Sequence, residues 1–197
     1  MPRSVAILLA FATAAAHAAD CASAPDTVFA GGFDPAAGSA FYVSPDGDDA
    51  GAGEIDSPWA TIQHAADTIA PGDVACVRAG TYREVVTIAR SGSAEAGRIT
   101  FQAMPGETAL IDGAGLDVPD GQYGLVTLVD ASYVAIRGFE IANYETASAN
   151  DVPIGLYVTG SGTRVRWLTI CVAISAETTT FREPSGRKPR CEGRSGA

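Results

Sequence analysis

The chain has 197 residues, 47% of them hydrophobic, and a formal net charge of -10. A chain this long and this apolar can bury a core of its own, which excludes disorder throughout. With 13 Lys and Arg against 23 Asp and Glu, it lacks the clustered cations that phosphate contacts require, so nucleic acid is not an expected partner, and an acidic polymer would need a bridging cation such as calcium.

The first residues read as an export signal. Arg3 supplies a positive start, "VAILLAFATAAA" an apolar stretch too short to span a bilayer, and Ala16-His17-Ala18 a small-x-small cleavage site. The expectation is a signal peptide over residues 1–18, cut near Ala18, and a secreted or periplasmic mature protein. Cys21 follows closely, but Asp20 precedes it and no Leu-Ala-Gly-like run does, so a lipid anchor is not expected. No later stretch approaches 18 apolar residues, so no membrane-spanning helix is expected after cleavage.

Export makes disulfides available to Cys21, Cys76, Cys171 and Cys191, and four cysteines allow three pairings. No Cys-x-x-Cys and no histidine partner suggests zinc: His17 lies in the signal peptide and His64 stands alone.

Residues 19–40 form an Ala-, Gly- and Pro-rich lead-in. "FYVS" (41–44) is a short strand and "PDGDDAGAGEIDSP" (45–58) a turn-rich loop. "WATIQHAADTIA" (59–70) sets Ile62, Ala65, Ala66 and Ile69 at helical spacing; Ser57 or Thr61 can cap its start, and Pro71-Gly72 stops it. Everything after it reads as β. The predicted strands are 73–78, 84–89, 98–103, 109–112, 125–130, 133–143, 154–159 and 163–170, with Gly80-Thr81-Tyr82 read as a turn. No helical period separates them, so a doubly wound α/β fold is excluded. A strand of type Ile/Val-x-Ile/Phe recurs at Ile99, Val134 and Val165, about 35 and 31 residues apart. Stacked coils of a solenoid predict this recurrence. An antiparallel sandwich also predicts short strands at regular spacing, but the tight hairpin signals it needs are sparse.

The stretch 41–84 carries a more specific pattern: Pro58, Trp59, Thr61, Ile62, Gln63 and Ala65, then Pro71, Gly72, Asp73, Val77, Arg78, Gly80, Tyr82 and Glu84. It resembles the N-terminal segment of secreted right-handed parallel β-helix proteins of the pectin lyase-like superfamily, among them the family-nine pectate lyases. "RITFQAMPGETALIDG" and "YVAIRGFEIANY" continue the resemblance, which covers roughly residues 41–170. It implies an all-β right-handed parallel β-helix with an N-terminal capping helix and about three coils. Ile62, Ala66 and Ile69 would face the first coil's interior. Ala75 and Val77 would point inward and Cys76 outward, where Cys76 could meet Cys21 in the lead-in.

The resemblance also implies chemistry. Lyases of this superfamily remove the C5 proton of a uronate and expel the 4-linked sugar, which needs a strong base and cationic help for the developing charge. In the family-nine enzymes the base is a lysine and calcium is held by aspartates. The one lysine here is Lys188, in a segment without strand pattern. Asp46, Asp48 and Asp49 are candidate calcium ligands, although the loop lacks the EF-hand pattern and a solvated turn explains it as well. Arg137, Arg164 and Arg166 are candidates for an exposed ladder facing a polyanion, or simply solvent-facing strand residues. Tyr133, Tyr144 and Tyr157 could stack on sugar rings or sit half-buried in strands.

Beyond Ile170 the strand rhythm is lost. Residues 1–176 carry 8 Arg/Lys against 20 Asp/Glu, net -12, whereas residues 177–197 carry 5 against 3, net +2. The expectation is a non-repetitive tail over 171–197, from a frameshift or early stop, or else a genuine short C-terminal segment. The chain then reads as a truncated N-terminal part of a secreted polysaccharide lyase acting on uronate-containing polysaccharide, itself inactive. The alternative is a non-enzymatic β-helix module binding polysaccharide or a cell surface.

Overall fold

The computed structural model describes residue 21 and residues 38–116, 124–145, 153–162, 165–168 and 171–173. The expected signal peptide, Lys188 and most of the expected tail lie outside these residues.

Three parallel sheets form the walls of a solenoid, with every strand pair parallel. The first sheet holds β1 (Ala40–Val43), β2 (Val74–Val77), β5 (Ile99–Ala103), β8 (Val134–Arg137) and β11 (Arg166–Leu168), in that order. The second holds β3 (Gly80–Tyr82), β6 (Ala109–Asp112), β9 (Phe139–Ala142) and β12 (Cys171–Ala173). The third holds β4 (Val86–Ile88), β7 (Gly124–Val129) and β10 (Ile154–Thr159). The chain visits the three walls in turn, so each circuit lays one strand beside its predecessor in every sheet. An antiparallel sandwich is thereby ruled out.

The recurrence seen in the sequence is this stacking. Ile99 pairs with Val134, and the pairing of Ala135 with Arg166 puts Val134 level with Val165. Inward positions form columns: Phe41, Ala75, Phe101 and Ile136 in the first sheet, and Ile88 and Leu128 in the third. Phe101, Phe139, Leu125 and Leu128 are among the largest fully buried side chains. Each coil buries its apolar face only against its neighbours, so the end of the stack needs a lid.

The lid is α1 (Ile62–Thr68), which buries Ile62, Ala65 and Ala66 against the core; Ile69, just past its end, is buried too. The helix is shorter than the expected 59–70. Trp59 is held by a parallel bridge to Val43, and Ile69 is already extended. Thr61 is the N-cap, its hydroxyl accepting from the His64 N–H at 3.0 Å.

Two further expectations are corrected. The stretch 133–143 is two strands rather than one, broken at Gly138, whose φ of 74° turns the chain from the first wall to the second. Gly80–Tyr82 is a strand rather than a turn, made so by pairing with Ala109–Ile111. In addition, Cys171–Ala173, placed in the expected tail, continues the second sheet beside β9.

Candidate functional site

The predicted site residues are scattered. In the 45–58 loop, Asp49 is consumed by the lid. Its Oδ1 accepts from the N–H groups of Ala60 (2.8 Å) and Thr61 (3.0 Å), and its Oδ2 from the Thr61 hydroxyl (2.8 Å). Burial works against its ionisation, but the Thr61 hydroxyl and the two backbone donors outweigh burial and hold its carboxyl below the usual range. Asp48 Oδ1 accepts from the Ala50 N–H within its own turn. Among the described residues no group of three His, Cys, Asp or Glu is gathered that could hold a metal ion. Asp49 is thus committed to holding the start of the lid.

Of the three arginines, Arg164 lies outside the described residues. Arg137 and Arg166 occupy adjacent strands of the first sheet, but out of step: Arg137 is level with Leu168, and Arg166 with Ala135. Tyr133 sits at a corner with φ 54°, Tyr144 follows β9, and Tyr157 lies in β10 level with Thr127. The three tyrosines are on different parts of the coil and build no common platform. Cys21 and Cys76 are joined by a disulfide, with Cα atoms 6.0 Å apart, and together with Tyr42 they form a small apolar cluster separate from the main core.

A different constellation spans three coils where the chain leaves the second wall. Arg83 follows β3, Asp112 ends β6 and Asn143 follows β9. The Asp112 carboxylate is buried, and both oxygens are used. Oδ1 accepts from Asn143 Nδ2 at 2.8 Å and from the Ala114 N–H at 3.1 Å; Oδ2 accepts from Arg83 Nε at 3.3 Å. Asn143 reaches it from a left-handed backbone, φ 55°. Gly113 lets the coils close: a Cβ there would stand 2.7 Å from Tyr144 Cα. The Asn143 amide is the main cause that holds the Asp112 carboxyl below its ordinary range, against the effect of burial, with Ala114 and Arg83 adding to it. A low-pKa carboxylate already accepting three hydrogen bonds is a poor proton acceptor, so this cluster positions groups rather than abstracts protons. The exposed part is Arg83, whose side chain is 67% accessible while that of Asp112 is 7%.

The sequence from residue 41 to 182 matches the Pel9A-like right-handed β-helix region. The chain belongs to that family. Within the family's reach it is 31% identical over 128 residues to the uncharacterised protein YwoF of Bacillus subtilis, covering 65% of this chain and 27% of that protein. It is 35% identical over 127 residues to the pectate lyase PEL9 of Emericella nidulans, covering 59% of this chain and 31% of that enzyme. The chain thus spans roughly three-tenths of the length of these curated relatives. Among solved structures, the GH136 lacto-N-biosidase of Eubacterium ramulus superposes with a TM-score of 0.55 at 22% identity, over 70% of this chain and 27% of that one. That likeness concerns the β-helix alone. Among the described residues no helix is long and apolar enough to cross a membrane.

Proposed function

We propose that the chain supplies the lid and opening coils of a secreted, polysaccharide-lyase-like β-helix protein that engages a uronate-containing polysaccharide, and that the chain itself does not cleave it. The observation that carries this reading is membership of the Pel9A-like family together with 35% identity to a pectate lyase over 127 residues. β-Elimination at a uronate needs a base able to take the C5 proton and cationic groups that offset the enolate-like charge. The chain's one lysine, Lys188, belongs to the stretch without strand pattern.

The absence of lysine from the coils also favours a second reading, a β-helix module that binds polysaccharide or a cell surface without cleaving it. Both readings require saccharide engagement. Electrophoresis through native gels containing polygalacturonate tests this: the chain is expected to migrate more slowly than in plain gels. Equal mobility in both would remove the polysaccharide reading.

A further inference from the structure

We propose that Arg83, held by Asp112, is a subsite for the carboxylate of an acidic sugar. The inference rests on the polysaccharide reading above and assigns a residue to it.

A guanidinium recognises a carboxylate best through two parallel N–H groups, and the fork is worth most when its orientation is fixed beforehand. Arg83 meets both conditions. Its hydrogen bond to Asp112 is made through Nε, 3.3 Å from Oδ2. That bond uses the Nε edge, so the outer N–H groups of the two terminal nitrogens, at the far end of the guanidinium, carry no assigned bond. The carboxylate that Arg83 meets is itself fixed, at 5% exposure, by Asn143 from the next coil and Ala114 from its own turn. The side chain it holds is 67% accessible. A buried anion thus orients an exposed cation, an arrangement that coil-to-coil cohesion alone does not require.

The location suits an extended acidic ligand. Arg83, Asp112 and Asn143 come from three successive coils, so the fork sits on a polar strip running along the stack. Tyr144, half-buried beside Gly113, adjoins it. In a chain of net charge -10, a polyanion needs a local cation to approach, and a pre-oriented arginine provides one without a metal ion.

The other arginines with assigned bonds are differently placed. Arg78 is paired through Nε with both oxygens of the Glu107 carboxylate, which is not buried. Arg90 donates through Nη1 to the carbonyl of Asp67 in the lid helix, so a terminal nitrogen is already spent.

The test is calorimetric titration of the full chain with oligogalacturonate and, in parallel, with a neutral galacto-oligosaccharide. The acidic ligand is expected to bind and the neutral one not. Arg83→Ala is expected to weaken acidic binding by roughly tenfold or more, as loss of a charge-assisted fork does. Arg83→Lys keeps the charge without the fork and is expected to fall between. Arg90→Ala is expected to bind like the parent. Thermal unfolding of each variant checks that the exposed substitution leaves the fold intact. Undiminished binding by both Arg83 variants overturns the subsite while leaving the polysaccharide reading standing. Equal binding of the neutral ligand overturns carboxylate recognition. No binding of oligogalacturonate by the parent chain overturns both.

Discussion

The side-chain amide of Gln63 pairs with the backbone of Thr87 as a neighbouring strand would. Gln63 Oε1 accepts the Thr87 N–H at 2.7 Å, and Nε2 donates to the Thr87 carbonyl at 3.1 Å. Thr87 is the centre of β4, the terminal strand of the third sheet. An open strand edge is a template for aggregation, and one glutamine on the lid helix closes this one. Gln63→Ala is therefore expected to lower stability by about 1–3 kcal/mol, the cost of stranding half-buried backbone groups. Urea unfolding measures the loss, and faster amide exchange at Thr87 locates it. A variant with parental stability and protection would contradict this role.

The lid is fastened by a second carboxylate. Glu84 accepts the N–H of Ile62 on Oε1 and that of Gln63 on Oε2, each at 2.9 Å, so the first turn of α1 is tied to the first coil. Burial raises the Glu84 pKa, the two backbone donors oppose this, and the Asp49 charge adds to it. The folded state therefore binds a proton here more tightly than the unfolded chain. Glu84's contribution is fully present below its unfolded pKa and is lost as pH rises through its folded one. Glu84→Gln removes this slope. Urea midpoints measured from about pH 4 to about pH 7 are expected to show the variant gaining on the parent as pH rises. A constant difference across that range would mean the carboxyl does not titrate abnormally.

Asp49 and Asp112 act in the opposite sense. Their carboxyls are held low in the folded state, so the stability they add is present above the unfolded value and lost as pH falls toward the folded one. Asp112→Asn is expected to flatten the acid limb of the stability profile. It should also loosen Asn143, visible as raised amide exchange at the end of β9. An unchanged acid limb would remove Asp112 as a contributor.

The core column at Phe101 gives a plainer prediction. Phe101 is 1% exposed, level with Ala75 below and Ile136 above. Phe101→Ala leaves a cavity that stacked coils cannot close without shifting the register, and is expected to cost about 3–5 kcal/mol. Denaturant unfolding with a cost below about 1 kcal/mol would place this side chain outside the core.

The disulfide adds a redox test. Cys76 is fully buried, and the bond to Cys21 closes a separation of 55 residues. By loop-closure entropy such a link stabilises the fold by about 4 kcal/mol. Cys76→Ser, or reduction of the parent, is expected to lower the urea midpoint accordingly; identical midpoints with and without reductant would contradict the link.

Much of the architecture was legible because a solenoid repeats its core. Ile99, Val134 and Val165 announced one wall, and the Pro71-Gly72 stop announced the end of the lid. Two features were hidden for physical reasons. In "YVAIRGFEIAN" the two apolar pairs, Val134 with Ile136 and Phe139 with Ile141, are separated by only a one-residue slip in alternation at the left-handed Gly138, a signal too short to mark the change of wall. Gly80–Tyr82 has no strand signature of its own, and pairing with β6 makes it one. The Arg83–Asp112–Asn143 cluster was not legible at all. Its members are 29 and 31 residues apart, across turns of unequal length, so no fixed spacing could be counted. Strand position points instead to Arg137, Arg164 and Arg166; register puts Arg137 and Arg166 out of step, and Arg164 lies outside the described residues.

Coils that engage an acidic polysaccharide without cleaving it should release no unsaturated product. The most direct measurement is incubation of the 197-residue chain with polygalacturonate and calcium, following the ultraviolet absorbance of unsaturated uronate product, with a chelator-treated parallel. No rise is expected in either. A steady rise that the chelator abolishes would contradict it, and would mean that a base and a calcium site exist within this chain.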